Sequence, residues 1–253
     1  MTITERDIMG GLAKGLAVIE TFAADRPRQS ISDVAAASGL DRATARRCLL
    51  TLAHQGYAEW DGKFFTLTPR VLRLGTACLA SMPMPAIVQP ALDALSDRIG
   101  QSTSVSILDG AEIVYVARAA QRKVMSIALM PGSRLPAYCT SMGRVMLAAL
   151  PEAEAQTRLE ASPRPARTPF TLTEMDQVMA EIARVRAQGY SVIDQEVEMG
   201  LCSMAVPLMN ARGQVIAALN LGRAAGPEPM ADVATRLLPE LQAVAAQLRG
   251  LLR

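Results

Sequence analysis

Histidine and paired cysteine are almost absent from this sequence. Among 253 residues only His54 carries an imidazole, which serine-triad catalysis and histidine-rich metal sites both need at the reacting centre. The four cysteines lie at least 30 residues apart, and none forms a Cys-x-x-Cys pair. These absences disfavour most hydrolase chemistry, a zinc ribbon and a dithiol redox site. We therefore expect no metal and no cofactor.

Long apolar runs are lacking as well, since no stretch of about 18 uninterrupted apolar residues occurs. The first seven residues, MTITERD, do not show the basic-then-apolar order of a signal peptide. These features predict a soluble, cytoplasmic protein without a membrane partner. Half of the chain is hydrophobic, which is enough for a buried core in one large or two modest domains.

The net positive charge is confined to the N-terminal third. Residues 1–75 hold ten Lys and Arg against eight Asp and Glu, whereas the remainder holds sixteen of each. Of the 26 basic residues, 23 are arginine. Arginine suits bidentate recognition of phosphate and guanine, although GC-rich coding produces the same bias.

The N-terminal segment predicts three short helices. Leu12, Leu16 and Ile19 recur at helical spacing, so residues 14–22 read as an amphipathic helix. A second helix has Ser32 as its N-cap and ends at Gly39. Asp41 then caps a third helix that runs to Gly56. Two helices joined by a turn with glycine indicate a helix-turn-helix.

A β-hairpin is predicted directly after the third helix. Two β-prone runs within residues 57–67 flank Asp61-Gly62, which is the preferred pair for a two-residue type I′ turn. Such a hairpin would be the wing of a winged helix-turn-helix.

The third helix carries the residues best suited to reading DNA. Its N-terminal end, which meets base edges when a recognition helix enters the major groove, holds arginines that read guanine and Ala or Thr that contact the thymine methyl group. Lys63 on the wing and Arg28 or Ser30 before the second helix are placed to contact phosphates. The candidate DNA-contacting residues are Arg28, Ser30, Ser32, Arg42, Ala43, Thr44, Arg46, Arg47 and Lys63. The alternative is a three-helix protein-interaction module whose arginines form a solvated face.

A helix over residues 70–81 is predicted to connect this segment to a second domain. Thr68-Pro69 supplies an N-cap and a proline at the first helical position, and the run from Met82 to Pro85 is expected to end the helix. Such a helix either packs on its copy in a dimer or acts as a rigid spacer. The predicted organisation is a tail (1–8), a winged helix-turn-helix (9–68), a linker helix (69–84) and an effector domain (85–253).

The second domain reads as α+β. A helix that closes at Gly100 is followed by alternating strands and helices, which predicts an antiparallel sheet with helices on one side and a cavity between them. The predicted strands are 103–108, 113–118, 124–130, 190–196, 203–208 and 215–221. The predicted helices are 140–150, 152–160, 174–188 and 231–248, and residues 131–139 are predicted to form a loop.

Several segments resemble the IclR family of bacterial transcription regulators, in the right order and over nearly the whole chain. They are the helix-turn-helix with its wing, GSRLP at 132–136, TSMGRVMLA at 140–148, DQEVEMGL at 194–201 and AVPL at 205–208. DRATARRCL at 41–49 and YVAR at 115–118 are closer still to the branch that governs protocatechuate, 4-hydroxybenzoate and β-ketoadipate catabolism. The resemblance implies a winged helix-turn-helix, a linker helix that helps dimerisation, and a GAF-like effector domain for a small acidic metabolite.

The resemblance also implies a ligand pocket. From the residues alone, Thr140 to Gly143 form a helix N-terminus whose free N–H groups can hold a carboxylate. Carried over from the family, the contacts are the Ser141 and Met142 amides, Asp194, Ser203, Asn220 and Gly222. Where the family's pocket often has a cysteine and serines, this sequence has Ser203, Asn220 and Gly222. This departure indicates a ligand other than glyoxylate or pyruvate.

An aromatic acid or a dicarboxylic acid, in contrast to glyoxylate or pyruvate, needs a second polar anchor in the pocket. Arg118, Arg134 and Arg144 are candidates for bidentate carboxylate pairing, with a surface or interface role as the alternative for each. Tyr138 is a candidate for stacking on an aromatic ring, or else a core residue.

Two further groups leave alternatives open. Asp194, Glu196 and Glu198 alternate along the predicted strand and would share one face, where they could act in acid-base catalysis, bind Ca²⁺ or Mg²⁺, pair with arginines or restrict the pocket mouth. Cys139 and Cys202 could approach each other in a GAF-type thiol enzyme.

Together these patterns predict a ligand-responsive, sequence-specific regulator of transcription without catalytic activity. Its expected partners are a pseudo-palindromic double-stranded DNA operator, a small carboxylic-acid effector, and copies of itself in a homodimer or in a homotetramer formed as a dimer of dimers. The competing functions are a GAF-like thiol enzyme with a DNA-targeting module and a protein-interaction adaptor.

Overall fold

The computed structural model describes residue 4 and residues 7–23, 25–121 and 129–252, except for the side chains of 78–80. The chain divides into two units, Met1–Ser81 and Met82–Arg253. Within the described residues, no helix combines the length and the apolar character needed to cross a membrane.

The described residues of unit 1 form four helices and a small antiparallel sheet. The helices are α1 (Gly10–Glu20), α2 (Ile31–Ser38), α3 (Arg42–His54) and α4 (Leu72–Ser81), the last preceded by a 3-10 turn at Pro69–Val71. The strands are β1 (Arg28–Gln29), β2 (Ala58–Trp60) and β3 (Phe65–Leu67), in the order β1-β3-β2. The predicted helix-turn-helix and the helix after Thr68 are therefore confirmed.

The helix-turn-helix is fixed by local caps. Asp41 accepts a hydrogen bond from the Thr44 N–H at 2.9 Å and starts α3 as predicted. The N-cap of α2 is Ser30 rather than the predicted Ser32, because Ser30 and Asp33 form a reciprocal capping box. Gly39 ends α2 in the left-handed conformation, with φ at +68°.

The face that α1 presents to the core of unit 1 differs from the predicted one. Val18 of α1 is fully buried, beside Val34, Leu49 and other apolar side chains of α2, α3 and the wing. Leu12 and Leu16 are 60% and 47% exposed. Their helical spacing marks a real apolar stripe, which the core of this unit does not cover.

The wing differs from the expected hairpin in two ways. Strand β1 adds a third member to its sheet, pairing with β3, and the turn spans four residues, because the Trp60 and Phe65 pair closes the ladder. Only Gly62 in this loop has a positive φ, whereas a type I′ turn needs two such residues. The two-residue turn prediction was therefore wrong.

Unit 2 is α+β, as predicted, and its described residues form a six-stranded antiparallel sheet in the order β6-β5-β4-β9-β8-β7. Its helices are α5 (Pro83–Ile99), α6 (Ser141–Ala148), α7 (Glu152–Glu160), α8 (Met175–Gln188) and α9 (Met230–Arg249). Its strands are β4 (Ser102–Asp109), β5 (Glu112–Ala119), β6 (Arg134–Pro136), β7 (Ser191–Asp194), β8 (Leu201–Met209) and β9 (Val215–Ala224).

Helices cover both faces of this sheet, whereas helices on one side only were expected. One core joins α6, α7 and α8 to the face that carries Ala205. The other joins α5 and α9 to the face that carries Met204 and Val206. Successive strand residues point to opposite faces, so the apolar run at 204–206 already reflects a sheet buried on both sides. The candidate ligand site lies on the sheet face that α6 covers.

The run Met82 to Pro85 ends α4 at Ser81, as predicted, and α5 begins within this run, at Pro83, because proline suits the first turn of a helix. Strand β6 lies within the predicted loop 131–139. The predicted strand 124–130 falls mainly on residues 122–128, outside the described part of the chain.

Candidate functional site

The exposed end of α3 carries the cations predicted to contact DNA. Arg42, Arg46 and Arg47 are exposed, as is Ala43, and in the described part of the chain their guanidinium groups form no ion pair with a carboxylate. The Thr44 N–H donates to the Asp41 carboxylate in the N-cap, and the Thr44 side chain is half-exposed. These side chains can meet base edges and phosphates without first breaking an internal pair.

The wing cations are organised around one carboxylate. Asp61 accepts hydrogen bonds from the N–H groups of Phe64 and Lys63 and from the Arg28 guanidinium, which holds its pKa well below its usual range. Arg28 also lies over the Phe64 ring, 4.3 Å from its centroid. The guanidinium thus ties β1 to the loop, while Lys63 is exposed at the tip.

Ser30 and Ser32 play different parts from each other. Ser30 is occupied in the capping box, with its hydroxyl 2.7 Å from the Asp33 carboxylate, whereas Ser32 is exposed in the first turn of α2. A groove of about 290 Å³ between α1 and α3 adds Lys14, which sequence reasoning missed, beside Arg47. Nothing in the one-dimensional pattern places α1 next to α3.

A second cavity lies in unit 2 between the sheet and the first turn of α6. It is lined by Tyr115, Arg118, Leu129, Leu135, Thr140, Ser141, Met142, Ile193, Val197, Leu201, Ser203, Asn220 and Gly222. Among these are all but five of the effector-binding residues expected from the sequence. We call it the effector pocket.

Strand register brings the polar side chains of the effector pocket into two rows. Arg118 of β5, Ser104 of β4 and Asn220 of β9 lie opposite one another, and the Arg118 Nη1 donates to the Ser104 Oγ at 3.0 Å. In the next row Gly222 lies opposite Ser203. A Cβ added at Gly222 would meet no heavy atom within 4 Å, so this glycine opens space rather than filling a tight contact.

The N-terminus of α6 forms the opposite wall. Thr140 caps it by accepting from the Gly143 N–H at 3.1 Å, which leaves the Ser141 and Met142 amides among those without an intrahelical acceptor. A Cβ at Gly143 would lie 2.3 Å from the Ala137 Cα. Only glycine therefore allows α6 to approach the preceding segment so closely.

The charge and the hydrogen-bonding capacity of the effector pocket suit a hydroxylated anion. Burial lowers the pKa of Arg118, and an anionic ligand beside it would offset that desolvation. Asn220 is 7% exposed, and its Oδ1 is buried without a hydrogen-bond partner among the described residues. Burial raises the pKa of Tyr115 to about 12, so its phenol stays protonated and able to donate.

Five predicted ligand residues do not line the effector pocket. Arg134 is on the surface, paired with Asp109 and Glu112 at 2.8 and 2.7 Å. The buried Tyr138 donates its hydroxyl to the Pro165 carbonyl. The other three are Gly143, which packs against Ala137, Arg144, which forms a buried ion pair, and Asp194, which is exposed.

The acidic run does not share one face, contrary to expectation. Strand β7 ends at Asp194 because Gln195 adopts a positive φ of 58°, and the chain turns there. Glu196 points inward to the Arg144 guanidinium. Among the described residues, no three His, Cys, Asp or Glu side chains are grouped so as to hold a metal ion.

The two cysteines proposed for thiol chemistry have different partners. The Cys139 Sγ contacts the Pro136 carbonyl, and burial raises its pKa to about 11. The Cys202 Sγ lies 2.9 Å from the Asp194 carboxylate, and burial together with this contact raises its pKa to about 12. Because the thiolate is the nucleophile, neither environment activates sulfur.

The volume of the effector pocket is about 20 Å³, room for about one water molecule. A larger cavity in unit 2, about 600 Å³, is lined only by apolar residues near Met84, Ile107, Ile216 and Leu252. A carboxylate would find no polar side chain in that lining. The polar rows and the orphan amide oxygen therefore make the smaller cavity the better candidate.

Two family profiles cover most of the chain. Residues 11–62 match the IclR helix-turn-helix domain, and residues 76–249 match the C-terminal domain of the bacterial transcriptional regulator IclR. The Pca regulon regulatory protein of Pseudomonas putida is 42% identical, over 96% of this chain and 84% of its own. The p-hydroxybenzoate hydroxylase transcriptional activator of Acinetobacter baylyi is 35% identical, over 98% and 94%.

Solved structures agree with these relatives. A chain from Rhodococcus sp. RHA1 is 46% identical with a TM-score of 0.77, over 96% of this chain and 97% of its own. An IclR homologue from Microbacterium hydrocarbonoxydans, complexed with 4-hydroxybenzoate, is 25% identical with a TM-score of 0.73, over 94% and 97%. The similar proteins are transcriptional regulators rather than enzymes, which removes the thiol-enzyme alternative. This chain belongs to the IclR family of bacterial transcriptional regulators.

Proposed function

We propose that this regulator controls the catabolism of an aromatic acid and responds to a hydroxybenzoate or a closely related metabolite of the β-ketoadipate pathway. The relatives named for the Pca regulon and for p-hydroxybenzoate hydroxylase support the pathway. The 4-hydroxybenzoate complex of the Microbacterium hydrocarbonoxydans homologue supports the ligand class.

The observation that carries the ligand class is the orphan acceptor in the effector pocket. Asn220 Oδ1 is buried without a partner in the described chain, which costs free energy unless a donor reaches it. In the proposed binding mode the ligand carboxylate pairs with Arg118 and the Ser141 and Met142 amides, and a ring hydroxyl donates to Asn220. An unsubstituted benzoate would leave the amide oxygen unsatisfied.

Ligand entry requires the effector pocket to widen. Its volume of about 20 Å³ is smaller than a benzoate ring, so we propose that apolar wall residues such as Leu129 and Val197 move outward on binding. Movement of this wall gives the ligand a conformation to select, which is the physical requirement for an allosteric effect.

For DNA recognition we propose the winged helix-turn-helix of residues 9–68, with α3 and the wing as its contacting elements. Arg42, Ala43, Thr44 and Arg46 would face the bases, while Arg47, Lys63, Arg28 and the serines of α2 would contact phosphates. A homodimer, or a dimer of dimers, would bind a pseudo-palindromic operator whose half-sites match its twofold axis. Such a protein acts on the chromosome, in the cytoplasm.

Segment 69–84 is proposed to couple the DNA-binding domain to the effector domain of residues 85–253. The ligand shifts DNA affinity only if it binds one arrangement of the protein more tightly than another. The helix α4 within this segment is the covalent route between the two domains.

The test is thermal unfolding of the full chain with 4-hydroxybenzoate, 3-hydroxybenzoate, protocatechuate, benzoate, β-ketoadipate and pyruvate. A ligand at about 100 times its Kd stabilises by about 2.7 kcal/mol, so we expect a shift with at least one hydroxybenzoate and a smaller one with benzoate. Gly222→Val, which fills open space, should abolish the shift. The control Ala224→Val, exposed on the same strand, should keep it. No shift with any acid would contradict the proposed effector class.

A further inference from the structure

Arg144 is a fully buried cation outside the lining of the effector pocket. It lies in the first turn of α6, with a side chain only 1% exposed. Its Nη1 donates to Glu196 Oε1 at 2.7 Å, its Nη2 pairs with Glu196 Oε2, and its Nε donates to the Tyr138 carbonyl at 2.9 Å. The guanidinium thus makes a bidentate pair and a backbone contact in different directions.

These contacts join two segments that contribute residues to the lining of the effector pocket. Tyr138 precedes the pocket residue Thr140 by two positions, so the Nε bond holds the entry to α6. Glu196 lies between the pocket residues Ile193 and Val197, so the bidentate pair holds the segment after β7. One side chain therefore links the helix N-terminus to the segment after β7.

The surroundings of Glu196 restrict it from its other side. The Leu172 N–H lies 3.4 Å from Glu196 Oε2, and the Thr171 hydroxyl donates to the Glu196 carbonyl at 2.6 Å. Glu181 brings a second carboxylate to 3.8 Å from Arg144 Nη1. The pair is thus part of a satisfied buried network, which specifies one arrangement of its elements.

Stability alone is a weak reason for such a pair. Replacing a buried ion pair with apolar groups of similar volume is often neutral or stabilising, because both charges must be desolvated. We propose that Arg144 and Glu196 are positioning residues, which set the width of the effector pocket and hence its affinity for a hydroxybenzoate. This inference rests on the proposed function.

The decisive variant is the double replacement Arg144→Met with Glu196→Leu. It removes both charges together and retains apolar volume, so the thermal unfolding midpoint and the ligand-free DNA affinity are expected to stay near wild type. The Kd for 4-hydroxybenzoate, measured by isothermal titration calorimetry, is expected to weaken about tenfold or more, as when partners that orient metal ligands are lost. Wild-type affinity in the folded double variant would overturn the inference.

Arg144→Lys is the second variant and decides the question if the double variant does not fold. Lysine keeps the charge but cannot form the bidentate fork and the Tyr138 contact together. We expect Arg144→Lys to unfold cooperatively and to bind 4-hydroxybenzoate with a higher Kd than wild type. An unchanged Kd would overturn the inference.

The control is Arg98→Met with Glu240→Leu, which removes another pair of the same unit, 2.9 Å apart and outside the effector pocket. Its Kd should equal that of wild type, and an equal loss in this control would overturn the inference. If the wild-type protein binds none of 4-hydroxybenzoate, 3-hydroxybenzoate, protocatechuate and β-ketoadipate, the proposed effector class and the inference are both overturned. Binding by wild type and double variant with equal Kd would overturn the inference alone.

Discussion

The Ser141 Oγ lies 2.7 Å from the Ser203 Oγ, so one hydrogen bond joins the first turn of α6 to strand β8 across the floor of the effector pocket. Both residues are buried, at 1% and 6% exposure. Removing either hydroxyl leaves the other without this partner.

The serine pair predicts strong coupling in a double-mutant cycle. Ser141→Ala and Ser203→Ala should each lower the free energy of unfolding by about 1 kcal/mol, and the double variant should cost little more than one of them. Urea unfolding followed by circular dichroism measures the loss. The fluorescence of the single tryptophan, Trp60 in unit 1, provides a reference outside the mutated unit. Additive losses would show that the hydroxyls do not depend on each other.

Gly143 is predicted to be intolerant of any side chain. Its Cβ position lies 2.3 Å from the Ala137 Cα and carbonyl oxygen, so Gly143→Ala forces α6 away from a backbone segment that cannot swing aside. We expect a loss of about 1–3 kcal/mol in urea unfolding and weaker hydroxybenzoate binding. Gly222→Ala, where the added Cβ meets nothing within 4 Å, is the matched control and should unfold at or above the wild-type urea concentration. Equal stability of the two variants would contradict the close approach.

The α3 arginines and the wing lysine should differ in their effects on DNA binding. Arg42→Ala and Arg46→Ala are expected to cost about 1–3 kcal/mol each on a selected operator and to relax specificity. Lys63→Ala should weaken binding to all sequences and reduce the salt slope by about 1. Fluorescence anisotropy over a salt series measures both quantities, with Arg98→Ala in unit 2 as the control. Unchanged affinity in both α3 variants would favour the protein-interaction adaptor.

Stability should fall at alkaline pH through Cys139. Its pKa is raised from 9.0 to about 11 by burial, so the folded state holds this proton more tightly than the unfolded state. The part of the free energy of unfolding that depends on the protonated thiol is fully present below pH 9 and is lost as the pH rises to about 11. This loss is at most about 2.7 kcal/mol. Urea unfolding at a series of pH values should show a shallower alkaline loss in Cys139→Ala than in wild type. Identical slopes would contradict the raised pKa.

Local chemistry could be predicted from the sequence wherever a cap or a turn residue acts on its own neighbours. Asp41 and Gly39 performed the predicted capping roles, and the helix N-terminus predicted at Thr140 to Gly143 begins with Thr140 as its cap. The N-cap of α2 was misplaced because Ser30 and Ser32 are equally good caps by type, and the reciprocal bond of Asp33 decides between them. The edge strand β1 is only two residues long, too short for a periodic signal.

The effector pocket could be predicted only in part, since it depends on strand register and on which buried arginine meets which carboxylate. Arg118, Arg134 and Arg144 were equivalent candidates in sequence, and the fold gives them three environments: pocket wall, surface pair and buried pair. Residues Tyr115 and Val197 were missed because apolar and aromatic lining has the same sequence pattern as core.

The affinity for DNA, measured with and without effector, tests most directly whether an aromatic acid in the effector pocket controls DNA binding. Operator fragments selected by the protein from random double-stranded DNA are titrated by fluorescence anisotropy, with and without saturating 4-hydroxybenzoate or protocatechuate. We expect at least one of these acids to change the Kd for DNA by about 5-fold or more in the wild-type protein, and to change nothing in Gly222→Val. An identical Kd with and without each acid in the wild-type protein would contradict the claim that an aromatic acid in the effector pocket controls DNA binding.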